Sequence, residues 1–389
     1  MRVLISGAGI AGPTLAYWLH RYGFEPTVVE KAPALRTGGY VVDFWGAGFD
    51  VAERMNLLDE IRHKGYVVKE VRVVDRTGKR VAGFPAASFA RATRGRWVSL
   101  PRGDLAASIF EQIEGKVETI FGDSISTIAQ SDGGVRVSFA NGAQRDFDLV
   151  IGADGLHSQV RQLVFGPESS FEKFLGYKAA AFGSVGYRPR DELTYVMYTE
   201  VGQQVARFAM RGDQTMFLFT FRDLDPESGD ANSQKALLRQ RFGASGWECP
   251  AILNALDKAD ELYFDRVSQI QMNTWWRGRV ALVGDAAHCV SLVAGQGSAL
   301  AMTGAYILAG ELHRAKGDYS SAFARYQALL APLIRAKQHS ALRFAGAFAP
   351  RSKASLWLRN RVLDLLSVGW IADLAVGRDL ADSITFPHY

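Results

Sequence analysis

The 389-residue sequence predicts an α/β protein in which a parallel βαβ unit opens the chain, antiparallel strands occupy its middle and helices close it. Three observations lead to this. Residues 2–32, RVLISGAGIAGPTLAYWLHRYGFEPTVVEKA, read as strand, glycine turn, amphipathic helix and second strand. Residues 177–223 alternate apolar or mixed runs with turn residues, a pattern of antiparallel strands. Beyond about residue 320, apolar side chains recur at helical spacing, as at Leu356, Val362, Leu365 and Leu366, which predicts packing helices.

The opening unit runs as a buried strand from Val3 to Ser6, a helix over about Pro13 to Tyr22 and a strand ending at Glu30. Gly7 allows a tight turn, Gly9 lets backbone approach a pyrophosphate, and Gly12 permits close helix packing on the strand. The free N–H groups and positive dipole end of the helix then face the diphosphate. Pro13 supports the helix start, because a first-turn N–H has no intrahelical partner to lose. Glu30 falls where an acid accepts hydrogen bonds from an adenosine ribose. Ala11 in the turn and Lys31 after the acid complete this set of candidate contacts. The fingerprint alone does not separate FAD from NAD. A second glycine pair, Gly46 and Gly48 in GAGFDV, lacks the third glycine and reads as a loop entering a helix.

Composition narrows the class. Hydrophobic residues at 48% and charged residues at 22% match a folded globular enzyme and exclude a largely disordered chain. The balance of 45 basic against 40 acidic residues gives +5, but the basic residues are scattered, and Arg91 to Trp97 holds the nearest thing to a patch. That argues against a nucleic-acid partner. The two cysteines, Cys249 and Cys289, lack metal-ligand spacing, so neither a metal site nor a disulfide framework is expected. With no signal peptide and no run of membrane-spanning length, a soluble cytoplasmic protein without stable membrane insertion is expected.

Two later stretches share one chemistry. Asp148 to Gly166, DLVIGADGLHSQVRQLVFG, runs an apolar strand into Asp154-Gly155 and then a helix carrying Ser158 and Arg161. Gly278 to His288, GRVALVGDAAH, ends another strand at Gly284-Asp285 and leads into CVSLVAGQGSALAM. There a carboxylate and an imidazole, His288, stand among Gly, Ala and small apolar residues. A buried carboxylate needs a partner, and small residues let one approach. His288 reads as an imidazole holding backbone groups rather than a proton carrier.

With the glycine fingerprint, these stretches resemble the para-hydroxybenzoate hydroxylase family of single-component FAD-dependent aromatic monooxygenases, over roughly residues 1–315. The resemblance implies a Rossmann-like FAD-binding domain (1–75, 98–170 and 270–320), an inserted α+β substrate domain roofed by an antiparallel sheet (76–97 and 171–269), and a C-terminal helical segment (321–389). It places Asp154 and Gly155 near the pyrophosphate and the nicotinamide donor, and gives Asp285 a ribityl hydroxyl. Arg102 falls beside the ribityl and phosphate region, Arg36 and Asp43 near the flavin ring. Gly295, Gln296, Gly297 and Ser298 line the flavin, with Ser298 expected to cap a helix whose N-terminus supports the anionic reduced ring. Many members carry proline near Leu292 and asparagine near Ala299; these departures bear on the substrate pocket.

The activity implied is NAD(P)H-consuming insertion of one oxygen atom from O2, through a flavin C4a-hydroperoxide, into an aromatic or polyketide-like molecule. FAD is the cofactor implied, and NADPH or NADH the transient donor. No side chain is singled out as catalytic, since the flavin carries the chemistry. The GQGSALAMTGAYILAGEL stretch resembles the tetracycline-inactivating branch more than the small-phenol hydroxylases. Leu292, Arg207 and Phe208 are the candidate substrate contacts. Alternation sets Val205, Arg207 and Ala209 on one face of their strand and Ala206, Phe208 and Met210 on the other, without saying which lines the pocket. A flavin reductase or dehydrogenase without oxygen insertion, and a non-catalytic dinucleotide-binding protein, are the alternatives.

Overall fold

The computed structural model describes residues 1–36, 38–227, 229–365 and 387–389. The strand Arg2–Ser6, buried from Val3 onward, lies inside a six-stranded sheet, with Glu25–Glu30 and Leu149–Gly152 parallel on its two sides. Glu118–Phe121 and Val280–Leu282 continue the parallel pairing outward, and Trp276–Arg277 adds an antiparallel edge. Strand order therefore reverses beside the first strand, the switch point at which such sheets bind ligands. The glycine turn leaves the sheet there.

The following helix, Ala11–Arg21, begins two residues earlier than the sequence predicted, because Ala11 and Gly12 already take helical geometry ahead of Pro13. Helix Gly297–Arg314 packs against it and is buried continuously from Ala299 to Leu312, so Gly and Ala in this stretch serve close helix contact. The path from Glu118–Phe121 to Leu149–Gly152 crosses a three-stranded antiparallel sheet, Ile125–Ser131, Gly134–Phe139 and Gln144–Phe147.

A second sheet has seven strands in the order Tyr263–Ile270, Glu172–Val185, Gln214–Arg222, Gln203–Ala209, Thr194–Glu200, Glu70–Val74 and Arg80–Pro85. Its pairings are antiparallel except between Thr194–Glu200 and Glu70–Val74. The antiparallel reading of residues 177–223 is what is found there. Strand Glu70–Val74, expected to belong with residues 1–75, joins this sheet instead, since its backbone is satisfied by strands on both sides. One face is a phenylalanine-rich layer with Phe182, Phe217, Phe219 and Phe221, covered by helices Ala231–Phe242 and Cys249–Asp257. The other face turns toward the parallel sheet.

After helix Tyr319–Phe348 comes Lys353–Leu365. Sequence periodicity predicts that this last helix packs through Leu356, Val362 and Leu365; instead none of its residues is buried, and Val362 and Leu365 are each 49% exposed. Polar contacts dock it: Arg359 donates to Thr199 and Gln204, and Asp364 accepts from Gly83 N. Leu366 lies outside the described residues. Among these residues, no helix is long and apolar enough to cross a membrane.

Candidate active site

The glycine turn is a cradle closed to any side chain. A Cβ on Gly12 would stand 1.9 Å from Gly7 O, and one on Gly7, whose φ is +107°, would stand 2.5 Å from Ala153 O. A Cβ on Gly9 would point instead toward Arg102 Nη2, 3.7 Å away. The guanidinium therefore overlooks the spot where the fingerprint brings backbone closest to a diphosphate. Arg102 opens helix Arg102–Glu111 and donates its backbone N–H to Tyr40 O at 3.0 Å. Glu30 ends its strand at the same place, accepting from Ala8 N at 2.8 Å and Ala32 N at 2.9 Å, so it also braces the turn. Lys31 and Arg36 lie exposed in the irregular stretch that follows.

Gly284-Asp285 is pressed against this cradle: a Cβ on Gly284 would meet Ala11 Cβ at 3.1 Å and Ala301 Cβ at 3.5 Å. Asp285 opens the short helix Asp285–His288, and its Oδ1 is 3.9 Å from where a Gly297 Cβ would lie. Desolvation raises its carboxyl above the usual range, against the opposing pull of Arg102. A desolvated carboxylate, a nearby guanidinium and a glycine cradle fit FAD, with Asp285 on its ribityl hydroxyls and Arg102 on its phosphate side. Gln296 is buried, Gly295 is exposed with φ +64°, and the helix starts at Gly297. Ser298 consequently sits inside the first turn and does not cap it, a correction to the expected role; Gln296 holds the cap position without a side-chain bond. His288 points away into the core, with Trp275 at 4.7 Å and Tyr326 Oη at 3.4 Å, and burial pushes it down to about 4. It is a neutral packing group.

In the Asp154-Gly155 loop, Asp154 accepts from the Ser158 hydroxyl at 2.5 Å and from Val160 N at 3.0 Å, while Ser158 caps helix Gln159–Val164 through Arg161 N. Arg161, fully buried, ties Leu156 O to Ala286 O and so joins the second motif to the third. Asp43 accepts from Ser99 and from Trp97 Nε1 at 3.2 Å on the two-stranded ribbon Val41–Trp45 and Trp97–Pro101.

The inner face of the seven-stranded sheet stands opposite these groups. Tyr263 and Tyr40 have ring centroids 5.3 Å apart, and Phe208 packs with Tyr66, Val68 and Ala86 near Val41 and Trp97. Leu292 lies beside Tyr177, Ala179 and Val267 on the same face. Phe208 and Leu292 are thus brought to the space between the sheets. Arg207 is not, which corrects its candidacy: it points to the helix-covered face, where Asp191 at 2.6 Å and Glu248 at 2.8 Å pair its guanidinium over Trp247. An arginine in an apolar layer goes where carboxylates await it.

Sequence reasoning missed Tyr40, Tyr263, Asp265 and His157. His157 bridges Glu168 through Nδ1 at 3.0 Å and Asp265 through Nε2 at 3.1 Å, and those two carboxylates raise it to about 9. It lies two residues after Gly155 in a motif already singled out. Strand alternation puts Tyr263 and Asp265 on one face, but only the fold says which.

A doubly wound sheet with a glycine cradle at its switch point, a desolvated acid beside it and a second sheet roofing the space define a dinucleotide-dependent oxidoreductase. Residues 1–322 match the family described as FAD binding domain, and the chain belongs to that family. It is 40% identical over 329 residues to an uncharacterized protein of Mycobacterium tuberculosis, covering 84% of this chain and 88% of that one. It is 34% identical over 395 residues to a flavin-dependent monooxygenase of an unknown prokaryotic organism, covering 100% and 99%. Among solved structures, tetracycline destructase Tet(51) superposes with a TM-score of 0.84 at 33% identity, covering 100% and 99%. The chain is accordingly an FAD-dependent monooxygenase, with NAD(P)H as its electron donor.

Proposed function

We propose that the enzyme inserts one oxygen atom from O2 into an electron-rich aromatic or polycyclic, polyketide-like molecule lying between the flavin wall and the inner face of the seven-stranded sheet. Bound FAD supplies electron transfer from the nicotinamide donor and activation of O2. The chain's own residues orient and shield. Asp285 and Arg102 hold the cofactor's polar middle, and the N-terminus of helix Gly297–Arg314 offers N–H groups and positive dipole to the ring. The inner sheet face excludes water with side chains that suit a flat ring system.

One observation carries this reading: the register aligns Ala181, Leu218, Ala206, Met197 and Val73 in one apolar row across five strands, on the face that also carries Tyr263 and Phe208. Such a platform fits a fused-ring substrate better than a single small phenol. The 33% identity to a tetracycline destructase supports tetracyclines as candidates. The cytoplasm, where NAD(P)H is available, is the proposed location. The test supplies NADPH or NADH and ¹⁸O₂ with a panel of phenols, polyketides and tetracyclines. A product heavier by one labelled oxygen, with donor consumption that depends on it, is the expected result. Donor consumption that yields stoichiometric peroxide and leaves every substrate unchanged would overturn it in favour of a reductase.

A further inference from the structure

We propose that Asp43, on strand Val41–Trp45, is a specificity-determining residue whose Oδ2 accepts a hydrogen bond from an O–H or N–H donor on one edge of the substrate. The proposal rests on the reading that the substrate lies between the flavin wall and the seven-stranded sheet. It adds which edge of that substrate carries a donor and what meets it.

Strand alternation says where this carboxylate is aimed. On the ribbon Val41–Trp45 and Trp97–Pro101, Val42, Phe44, Val98 and Leu100 turn into the core of the parallel sheet. Val41, Asp43, Trp97 and Ser99 therefore share the opposite face. There Val41 and Trp97 pack against the Phe208 cluster of the second sheet. Tyr195 pairs with Phe208 in register, two residues along from Met197 and Ala206 of the apolar row, and stacks its ring on Phe208 at 4.5 Å. Burial raises the Tyr195 hydroxyl, and the Asp43 charge beside it raises it further. Asp43 thus points at the roof, where the apolar platform ends.

The way the group is held leaves one oxygen for a ligand. Trp97 Nε1 donates to Oδ1 at 3.2 Å, and the Ser99 hydroxyl donates to that same oxygen. Among the described residues Oδ2 has no hydrogen-bond partner, and no cation pairs with the carboxylate. Two donors on one oxygen fix the plane of the group and hence the aim of the other. The side chain is exposed, yet desolvation raises its carboxyl. A carboxylate that can be reached and is still poorly hydrated stands in an enclosed space rather than on the outer surface. Once ionised it only accepts, so it selects a donor and repels an anion. A flat ring system with a hydroxyl or amine at that edge fits in a single orientation, which in turn sets which ring carbon meets the flavin.

The test uses the FAD-loaded enzyme at neutral pH and three probes on one ring system, 2-naphthol, its methyl ether and 2-naphthoate, with binding read from the perturbation of flavin absorbance. The native enzyme is expected to bind the naphthol about tenfold more tightly than the ether, the scale of one charge-assisted hydrogen bond, and the naphthoate most weakly. In Asp43→Asn the two donors hold the amide oxygen and leave the NH2 group toward the substrate. The naphthol should then lose its advantage and the naphthoate should gain about tenfold, while FAD affinity, read by flavin fluorescence, stays as it was. The proposal is overturned if the native enzyme binds naphthol and ether alike or binds none of the probes, a comparison that needs no variant to fold. It is equally overturned if Asp43→Asn keeps the native order or weakens all three probes in parallel, the signature of a structural carboxylate. Loss of FAD from the variant would assign Oδ2 to the cofactor and overturn it too. Binding is read without turnover, so the donor preference can fail while labelled oxygen is still inserted, or hold while no oxygen is.

Discussion

Asp285 keeps a charge in a wall of Gly and Ala, and its surroundings make that charge unfavourable until something accepts it. Desolvation raises its carboxyl, so the folded apoprotein binds the proton more tightly than the unfolded chain does. The penalty this group places on the apoprotein is therefore constant well above the raised value and is relieved as pH falls through that value toward the ordinary carboxylate range. Asp285→Asn should weaken FAD binding roughly tenfold, as loss of a charge-assisted bond implies, while the apoprotein melts no lower than the native one at pH 7.5. Flavin fluorescence titration and thermal melts at pH 5 and 7.5 check both halves; a variant that retains FAD fully removes Asp285 from the ribityl role. Arg207 gives the opposite signature. Arg207→Met removes the arginine that pairs Glu248 in the covered face, while Asp191 keeps Arg72 at 2.8 Å, and should cost about 3 kcal/mol of stability, as breaking a buried ion pair does. FAD affinity should not change, and urea unfolding beside a flavin titration separates the two effects.

At the scale of elements, the Asp154-Gly155 loop is coupled to strand Tyr263–Ile270 by one imidazole. His157 is raised to about 9 by Asp265 and Glu168, above its unfolded value near 6.5. The sign follows directly: the stabilisation is complete below about pH 6.5 and disappears as pH rises through about 9. With the side chain 47% exposed, solvent screening holds the effect to about 1 kcal/mol. His157→Gln should lower the melting temperature at pH 6 and leave it unchanged at pH 10. A difference that persists at pH 10 would mean that packing, not charge, makes the link. Another element contact explains a departure noted in the sequence. Ala299 lies so close to helix Ala47–Arg54 that a Cβ on Gly48 would come within 2.4 Å of Ala299 Cα. The small residue at 299 is matched by the glycine at 48, a long-range pairing that no local pattern reveals.

For the whole molecule, the parts legible in the sequence are those whose signal is local. The turn from Gly7 to Gly12, the strands ending at Asp154 and Asp285, and the antiparallel run from Tyr177 follow from spacing within a few residues. What was hidden depends on partners far along the chain: Arg207 on its covered face, Glu70–Val74 in the second sheet, and Arg359 over Thr199 and Gln204, more than 150 residues away. The C-terminal residues belong to this second group. Tyr389 lays its ring on Gly310, where a Cβ would come within 2.1 Å of it, and donates its hydroxyl to Glu311 at 2.7 Å. Pro387 O accepts from Tyr306 at 3.1 Å and Arg54 at 3.2 Å. Glu311 is wholly buried, and among the described residues Arg314 at 3.3 Å also partners it. Removing residues 387–389 uncovers that carboxylate and the Gly310 notch, at a cost of about 1–3 kcal/mol for the lost partner and a fall of a few degrees in melting temperature. Tyr389→Phe keeps the ring contact and should lose only the hydrogen-bond share, about 1 kcal/mol. Glu311 lies about 20 Å along its helix from Gly297, so the truncated protein should still bind FAD with native affinity. A truncated protein that melts as the native one does would show that the tail contributes nothing to the fold; one that sheds FAD would show that the helix transmits the loss to the flavin wall.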